Sequence, residues 1–123
     1  MRTEVGLLTR NVVIQGSADG IPNKYGGHMM IHGMSNSNTV ARVEYAEFAY
    51  CGQPKILGRY PIHFHMNGDV TGSYARGNSV HDSFARVCTI HGVSNLLVEW
   101  NVGYLAAGHN IFVEDGIETN NII

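Results

Sequence analysis

Three short segments of alternating apolar and polar residues, PIHFHMNG, VCTIHG and IFVEDG, end on the evenly spaced glycines Gly68, Gly92 and Gly116. A second series, YARGNSV and VEWNVGY, runs between them and aligns Asn78 with Asn101 at nearly the same spacing. No helical periodicity interrupts either series. A period in the low twenties, made of short strands and Gly/Asn turns, describes coils that stack on one another. The pattern predicts an all-β fold, a right-handed parallel β-helix, with residues 1–123 forming a single segment of a longer helix. Each coil adds about 4.8 Å of height, the spacing of paired strands, so equivalent residues of successive coils lie one above the other. Asn78 and Asn101 suit such a column, because a turn amide can donate and accept across coils.

The front half carries the same signals less regularly. EVGLLTRNVVIQ (residues 4–15) and VARVEYAEFAY (residues 40–50) are rich in Val, Leu, Tyr and Phe and are expected to be strands. Between them, residues 16–39 hold glycines, a proline and the run SNSNT, which predicts a Gly/Ser/Asn-rich loop around one short strand, HMMIH. Eight basic and ten acidic side chains give a net charge of −2. That is no field for a phosphate backbone, and nucleic acid is not an expected partner. No apolar run reaches membrane-spanning length and no leader peptide is visible, so direct membrane insertion by this segment is not expected. Cys51 and Cys88, the only two cysteines, lack a metal spacing and are expected to be buried small hydrophobes.

Seven histidines are the compositional oddity. In a strand, His63 and His65 share one face while Ile62, Phe64 and Met66 share the other, the apolar set pointing inward. Aligning residues 90–92 with 114–116 stacks His91 on Asp115. Below His91, a register that strictly follows the glycines puts Asn67, whereas aligning the histidines puts His65 there; the two positions share a face, because they differ by an even step. His63, His65, His91 and Asp115 are therefore expected on one outer flank.

Three readings of that flank stay open. It can be a metal site, in which His63, His65, His91 and Asp115 hold a divalent ion such as zinc. It can be metal-free acid–base chemistry by His65 and His91, with Asp115 orienting an imidazole and Arg59 neutralising an acidic sugar. It can also be a set of hydrogen-bonded contacts between coils with no turnover. Standard glycoside hydrolysis needs two carboxylates, and Glu114, by parity with Phe112, is expected to point inward, where it needs a partner such as Arg86 or a bulge that returns it to the surface. His81 and His109 are expected to be local hydrogen-bonding residues in coil corners, Asp69 and Asp82 turn residues. His28 and His32 share a face and can extend the ladder. Trp100 and Tyr104 can pack between coils or form a sugar-stacking platform.

LLTRNVVIQG, GGHMMIH, LGRYPIHFHMNG, NSVH with TIHG, and FVEDGIE resemble the parallel β-helix region that follows the G8 domain in fibrocystin-L and in the family of the cell-migration-inducing and hyaluronan-binding protein. The resemblance runs over nearly the whole chain. It implies an extracellular or cell-surface location, flanking domains of a longer protein, and a polysaccharide or cell-surface glycan such as hyaluronan as partner. If the chain is an enzyme, it implies a hyaluronidase-like hydrolase or lyase working through the His/Asp cluster. The alternative is an architectural cell-surface or filament component without catalysis.

Overall fold

The computed structural model describes residues 3–33 and 39–123. Most of the polar run expected as loop lies at 34–38, outside the described residues. Eleven strands form three parallel sheets. The first stacks β1 (Val12–Gln15), β4 (Ala46–Ala49), β7 (Ser79–His81) and β10 (Val102–Tyr104). The second stacks β2 (Met29–His32), β5 (Ile62–Asp69), β8 (Cys88–Ser94) and β11 (Ile111–Val113). The third stacks β3 (Arg42–Glu44), β6 (Tyr74–Arg76) and β9 (Leu97–Glu99). Every pairing is parallel, and sequence neighbours lie in different sheets, which is the topology of a parallel β-helix. One 3₁₀ turn, Ile21–Asn23, is the only helical element among the described residues, and none of them forms a helix able to cross a membrane.

The rungs are uneven in length. Ile62 lies on Met29, Cys88 on Ile62 and Ile111 on Cys88, so each coil is shorter than the one before it. The early coils are longer because segments 16–28 and 52–61 are inserted between strands, and the regular period seen in the sequence belongs to the later coils alone. The matched glycines do not stack: Gly68 pairs with Val93, because Met66 and Asn67 together face the single Gly92 in a bulge between His65 and Gly68. Gly92 has φ 58°, and a Cβ there would lie 2.7 Å from the Met66 sulfur. Only glycine fits that corner without a shift.

Coil corners explain two departures from the expected strands. VARVEYAEFAY is broken at Tyr45 (φ 50°), so β3 and β4 belong to different sheets and face parity resets between them. Gly77 and Trp100, at φ 63° and 55°, occupy the same corner of the next two coils. Trp100 and Tyr104 consequently stand in solvent and do not pack between coils. Likewise Met66, expected inward with Ile62 and Phe64, sits at a left-handed corner (φ 53°) and is exposed, while those two are buried. Of residues 4–15 only Val12–Gln15 pairs as strand.

The interior is one cluster, contributed in register by all three sheets: Phe48 and Val80, Phe64 and Ile90, Ala75 and Val98. Phe48 and Phe64 are among the largest fully buried side chains, and each contributes about 2–3 kcal/mol of burial. Asparagines satisfy the backbone groups that corners leave open. The fully buried Asn78 accepts the Ala46 N–H at 3.0 Å and donates to the Val43 carbonyl and to Asn101 Oδ1, each at 3.0 Å. Asn101 donates onward to the Ala75 carbonyl at 2.8 Å. The expected column is thus present, built of direct amide contacts.

Cys51 and Cys88 are free and buried, and burial pushes their thiols up to about 11 and about 12. In native protein at pH 8 neither is expected to react with a thiol reagent within minutes, and both react once urea unfolds the chain. Asn78→Ala strands the Ala46 N–H and the Val43 carbonyl in a dry interior. It is expected to lower stability by about 2–4 kcal/mol, read as a shift of the urea midpoint without a change of slope.

Candidate functional site

The outer face of the β2–β5–β8–β11 sheet gathers the histidines. Cα pairing sets His32 on His65 and His65 on His91, so the register that aligns the histidines is the one the chain adopts. His63 lies between Met30 and Thr89 on the same face. The inward side carries Ile31, Phe64 and Ile90, whose burial holds the outward residues in rank. The rings follow: His65 and His91 are 4.7 Å apart between centroids, His63 and His65 4.8 Å, His63 and His91 5.8 Å and parallel within 3°, and His32 and His65 5.3 Å.

The carboxylates are placed differently from expectation. Val113 pairs with Ile90, so Glu114 occupies the rung of His91, and Asp115 lies one position beyond it. Phe112 shares the face of Thr89 and His63, and Ile111 and Val113 lie on the opposite face, in register with the buried Cys88 and Ile90, though both remain 40% exposed. The Arg86 guanidinium lies 3.6 Å over the Phe112 ring and 3.3 Å from Glu114 Oε1. Glu114 therefore both finds Arg86 and joins the outer cluster. Both carboxylates reach one imidazole: Asp115 Oδ2 is 3.1 Å from His91 Nε2, and Glu114 Oε2 is 3.6 Å from His91 Nδ1.

These contacts order the protons. His63 Nδ1 donates to the Gly58 carbonyl at 3.1 Å, leaving Nε2 with a bare lone pair. His91 donates from Nε2 to Asp115, so its Nδ1 accepts from His65 Nδ1–H at 3.0 Å. His32 Nδ1 donates to the His65 carbonyl at 3.0 Å. The expected surface position of His63 is corrected here: it is on the outward face but only 1% exposed, covered by Tyr60 with ring centroids 5.0 Å apart. Burial, opposed by its bond to Gly58, pushes its imidazole down to about 4. His65 is also lowered, first by burial and then by the charge of His91.

Other candidates stand apart. Arg59 is committed to His28, donating from Nη1 to Nε2 at 2.8 Å, and no contact joins it to His65 or His91 among the described residues. His28 is lowered by burial and then by the Arg59 charge. His81 is held by its neighbour Asp82 at 2.8 Å and, across coils, by Glu47 at 3.3 Å, and His109 rests against the Phe112 ring with centroids 4.9 Å apart, a ring contact where a local hydrogen bond is expected. Arg86, considered in the sequence only as a partner for Glu114, is the cation that the cluster itself contains. It also lines, with Tyr60, Lys55 and Leu57, a groove of about 380 Å³ beside the wall.

The polar accounting of this wall is incomplete. His63 Nε2, Thr89 Oγ1, Glu114 Oε2, Arg86 Nη1 and Glu118 Oε2 are the buried side-chain atoms without a hydrogen-bond partner among the described residues. Glu118 accepts through its other oxygen from the N–H groups of Gly92 and Asp115, at the corner beside this face. Each such atom costs about 1–3 kcal/mol when left dry.

Comparison with known proteins finds a matching family model, CEMIP beta-helix, over residues 24–123. The human cell surface hyaluronidase CEMIP2 is 40% identical over 141 aligned residues covering 100% of the chain. Mouse fibrocystin-L is 38% identical over 99% of the chain, and the mouse cell migration-inducing and hyaluronan-binding protein is 38% identical over 98%. The chain spans about 10%, 4% and 10% of these three relatives.

The depressed His63 makes a pH prediction with a definite sign. Unfolded His63 takes a proton near 6.5 and folded His63 near 4, so the unfolded state binds more protons between those values. With metal chelated, the stability of the protein is expected to be full above pH 6.5 and to fall as pH drops toward 4. Urea midpoints across that window check this, and His63→Gln should flatten the slope.

Proposed function

The chain belongs to the CEMIP beta-helix family, and on that premise we propose that it is an extracellular or cell-surface module whose histidine–carboxylate wall engages an acidic polysaccharide of the hyaluronan type and contributes to its depolymerisation. The observation that carries this reading is the concentration on one wall of buried polar atoms without a hydrogen bond, His63 Nε2, Thr89 Oγ1 and Glu114 Oε2, beside the Arg86–Glu114 ion pair, an arrangement that has a cost for the fold and a use for a ligand.

The geometry gives each group a task. Asp115 holds the His91 ring by its Nε2–H and so presents Nδ1 toward His65. Glu114, now on the same wall as Asp115, removes the objection that a second carboxylate points away; two carboxylates flank one imidazole. The groove beside the wall offers the Tyr60 ring, the Leu57 side chain and the cations Lys55 and Arg86. An apolar surface with two cations suits a sugar ring that bears a carboxylate. This assigns charge neutralisation to Arg86 in place of Arg59, which is occupied by His28. Relatives named as hyaluronidase and as hyaluronan-binding support the choice of polymer, and the cell-surface name of the first supports the location.

Incubation of the purified chain with hyaluronan, read by gel sizing for cleavage and by calorimetry for binding, tests the reading. His65→Ala and His91→Ala are expected to reduce cleavage at least about a hundredfold with binding kept, and Arg86→Ala to weaken binding about tenfold. Full retention of cleavage in both histidine variants contradicts a role for the wall. Assembly of the wild type into fibres with no affinity for the glycan favours the architectural alternative.

A further inference from the structure

We propose that the wall is a divalent transition-metal centre, with His63 Nε2, His65 Nδ1 and His91 Nδ1 as its imidazole ligands and the Glu114 carboxylate beside them. The proposal stands apart from the glycan reading, because it concerns what the wall binds before any polymer arrives.

The nitrogens are already presented for it. Three imidazole ligand atoms, one from each of His63, His65 and His91, lie within 4.8 Å of one another. His65 Nδ1 and His91 Nδ1 are 3.0 Å apart. Two nitrogens on one tetrahedral zinc, at about 2.05 Å from the ion, are separated by about 3.3 Å. The pair needs a few tenths of an ångström of expansion to take an ion. His63 Nε2 is a lone pair with no partner in a side chain that is 1% exposed, so nothing among the described residues or in bulk water uses it. Glu114 Oε2, also unpartnered, is 3.6 Å from His91 Nδ1.

The surrounding contacts match what metal-bound histidines require. A ligating imidazole is held in one tautomer by donating its other N–H to a carbonyl or carboxylate. His63 does so to Gly58 and His91 to Asp115. Asp115, expected from the sequence to be a ligand, is thereby a positioning residue, and the three imidazoles form the ligand set. His65 alone must change, moving its proton from Nδ1 to Nε2, which is neutral in charge. Imidazoles with one carboxylate suit zinc, cobalt, nickel or copper and disfavour magnesium and calcium, which take oxygen ligands. Two of the remaining histidines are occupied elsewhere: His28 is bonded to Arg59, and His81 is enclosed by Glu47 and Asp82.

The test is equilibrium dialysis of the chelator-stripped, tag-free chain against zinc, with metal counted by mass spectrometry and no glycan present. The wild type is expected to retain about one ion per chain, as is a His28→Ala control. His63→Gln and His91→Ala are expected to lose at least tenfold in affinity, and Asp115→Asn about tenfold through loss of its hold on His91. Cobalt bound to the wild type is expected to give the intense visible absorption of a four-coordinate site, a readout that does not depend on any variant folding. Retention of less than about a tenth of an ion per chain overturns the proposal. So does undiminished affinity in folded His63→Gln together with His91→Ala, or a weak six-coordinate cobalt spectrum. Zinc binding without hyaluronan cleavage would sink the glycan reading and leave the metal centre standing, and the reverse result would do the opposite.

Discussion

Parallel pairing of β5 with β8 brings His65 and His91, far apart along the chain, onto adjacent rungs about 4.8 Å apart, and every feature of the wall follows from it. The backbone ladder sets the height of each coil, and the fully buried Phe64 and Ile90 behind it set which side chains face out. A slip of a single position would send the histidines into the core and the apolar residues into water. A register defended by so much buried area keeps His65 and His91 together without any contact between their own rings having to do so.

The wall inverts the logic of the rest of the molecule. Elsewhere, buried polar atoms are satisfied column by column, as in the Asn78–Asn101 pair, whose amides complete the corners of two coils. On the β2–β5–β8–β11 face, by contrast, an imidazole, a carboxylate and a guanidinium are each left with unused capacity. Arg86 links the two regimes: its guanidinium rests on Phe112 and Tyr60, which shelter the cluster from one side, and it meets Glu114 at the edge of the groove. Glycines and left-handed residues at the corners let the strands turn sharply enough to keep this face continuous.

Much of this is legible from the residues. The stacked coils, the shared face of His63 and His65 and the Asn column follow from a period of two within strands and a period in the twenties between them, whereas the partner of His91 stays open between His65 and Asn67 until the structure pairs it with His65. What escapes such a reading has physical causes. Phe112 reads as core because it is large and apolar, yet Ile111 and Val113 on either side compete for the inward positions, and Arg86 covers the aromatic ring from outside. The face assigned to Glu114 follows from that of Phe112 and is reversed with it. The bulge at Met66–Asn67 is invisible to a spacing count, which is why evenly spaced glycines look like stacked equivalents. Tyr45 breaks a segment that alternates too weakly to reveal a corner, and Arg59 attracts attention by its place beside the histidine motif although His28 occupies it.

The arrangement of the imidazoles in solution tests the account most directly. Long-range proton–nitrogen NMR spectra of the chelator-treated chain at neutral pH read the tautomer of each ring, and ring-to-ring nuclear Overhauser effects read their neighbours. The structure requires His63 to be neutral and protonated on Nδ1, with strong cross-peaks between the His65 and His91 rings at a centroid separation of 4.7 Å. A protonated or solvent-mobile His63, or the absence of any contact between His65 and His91 in folded protein, would contradict it.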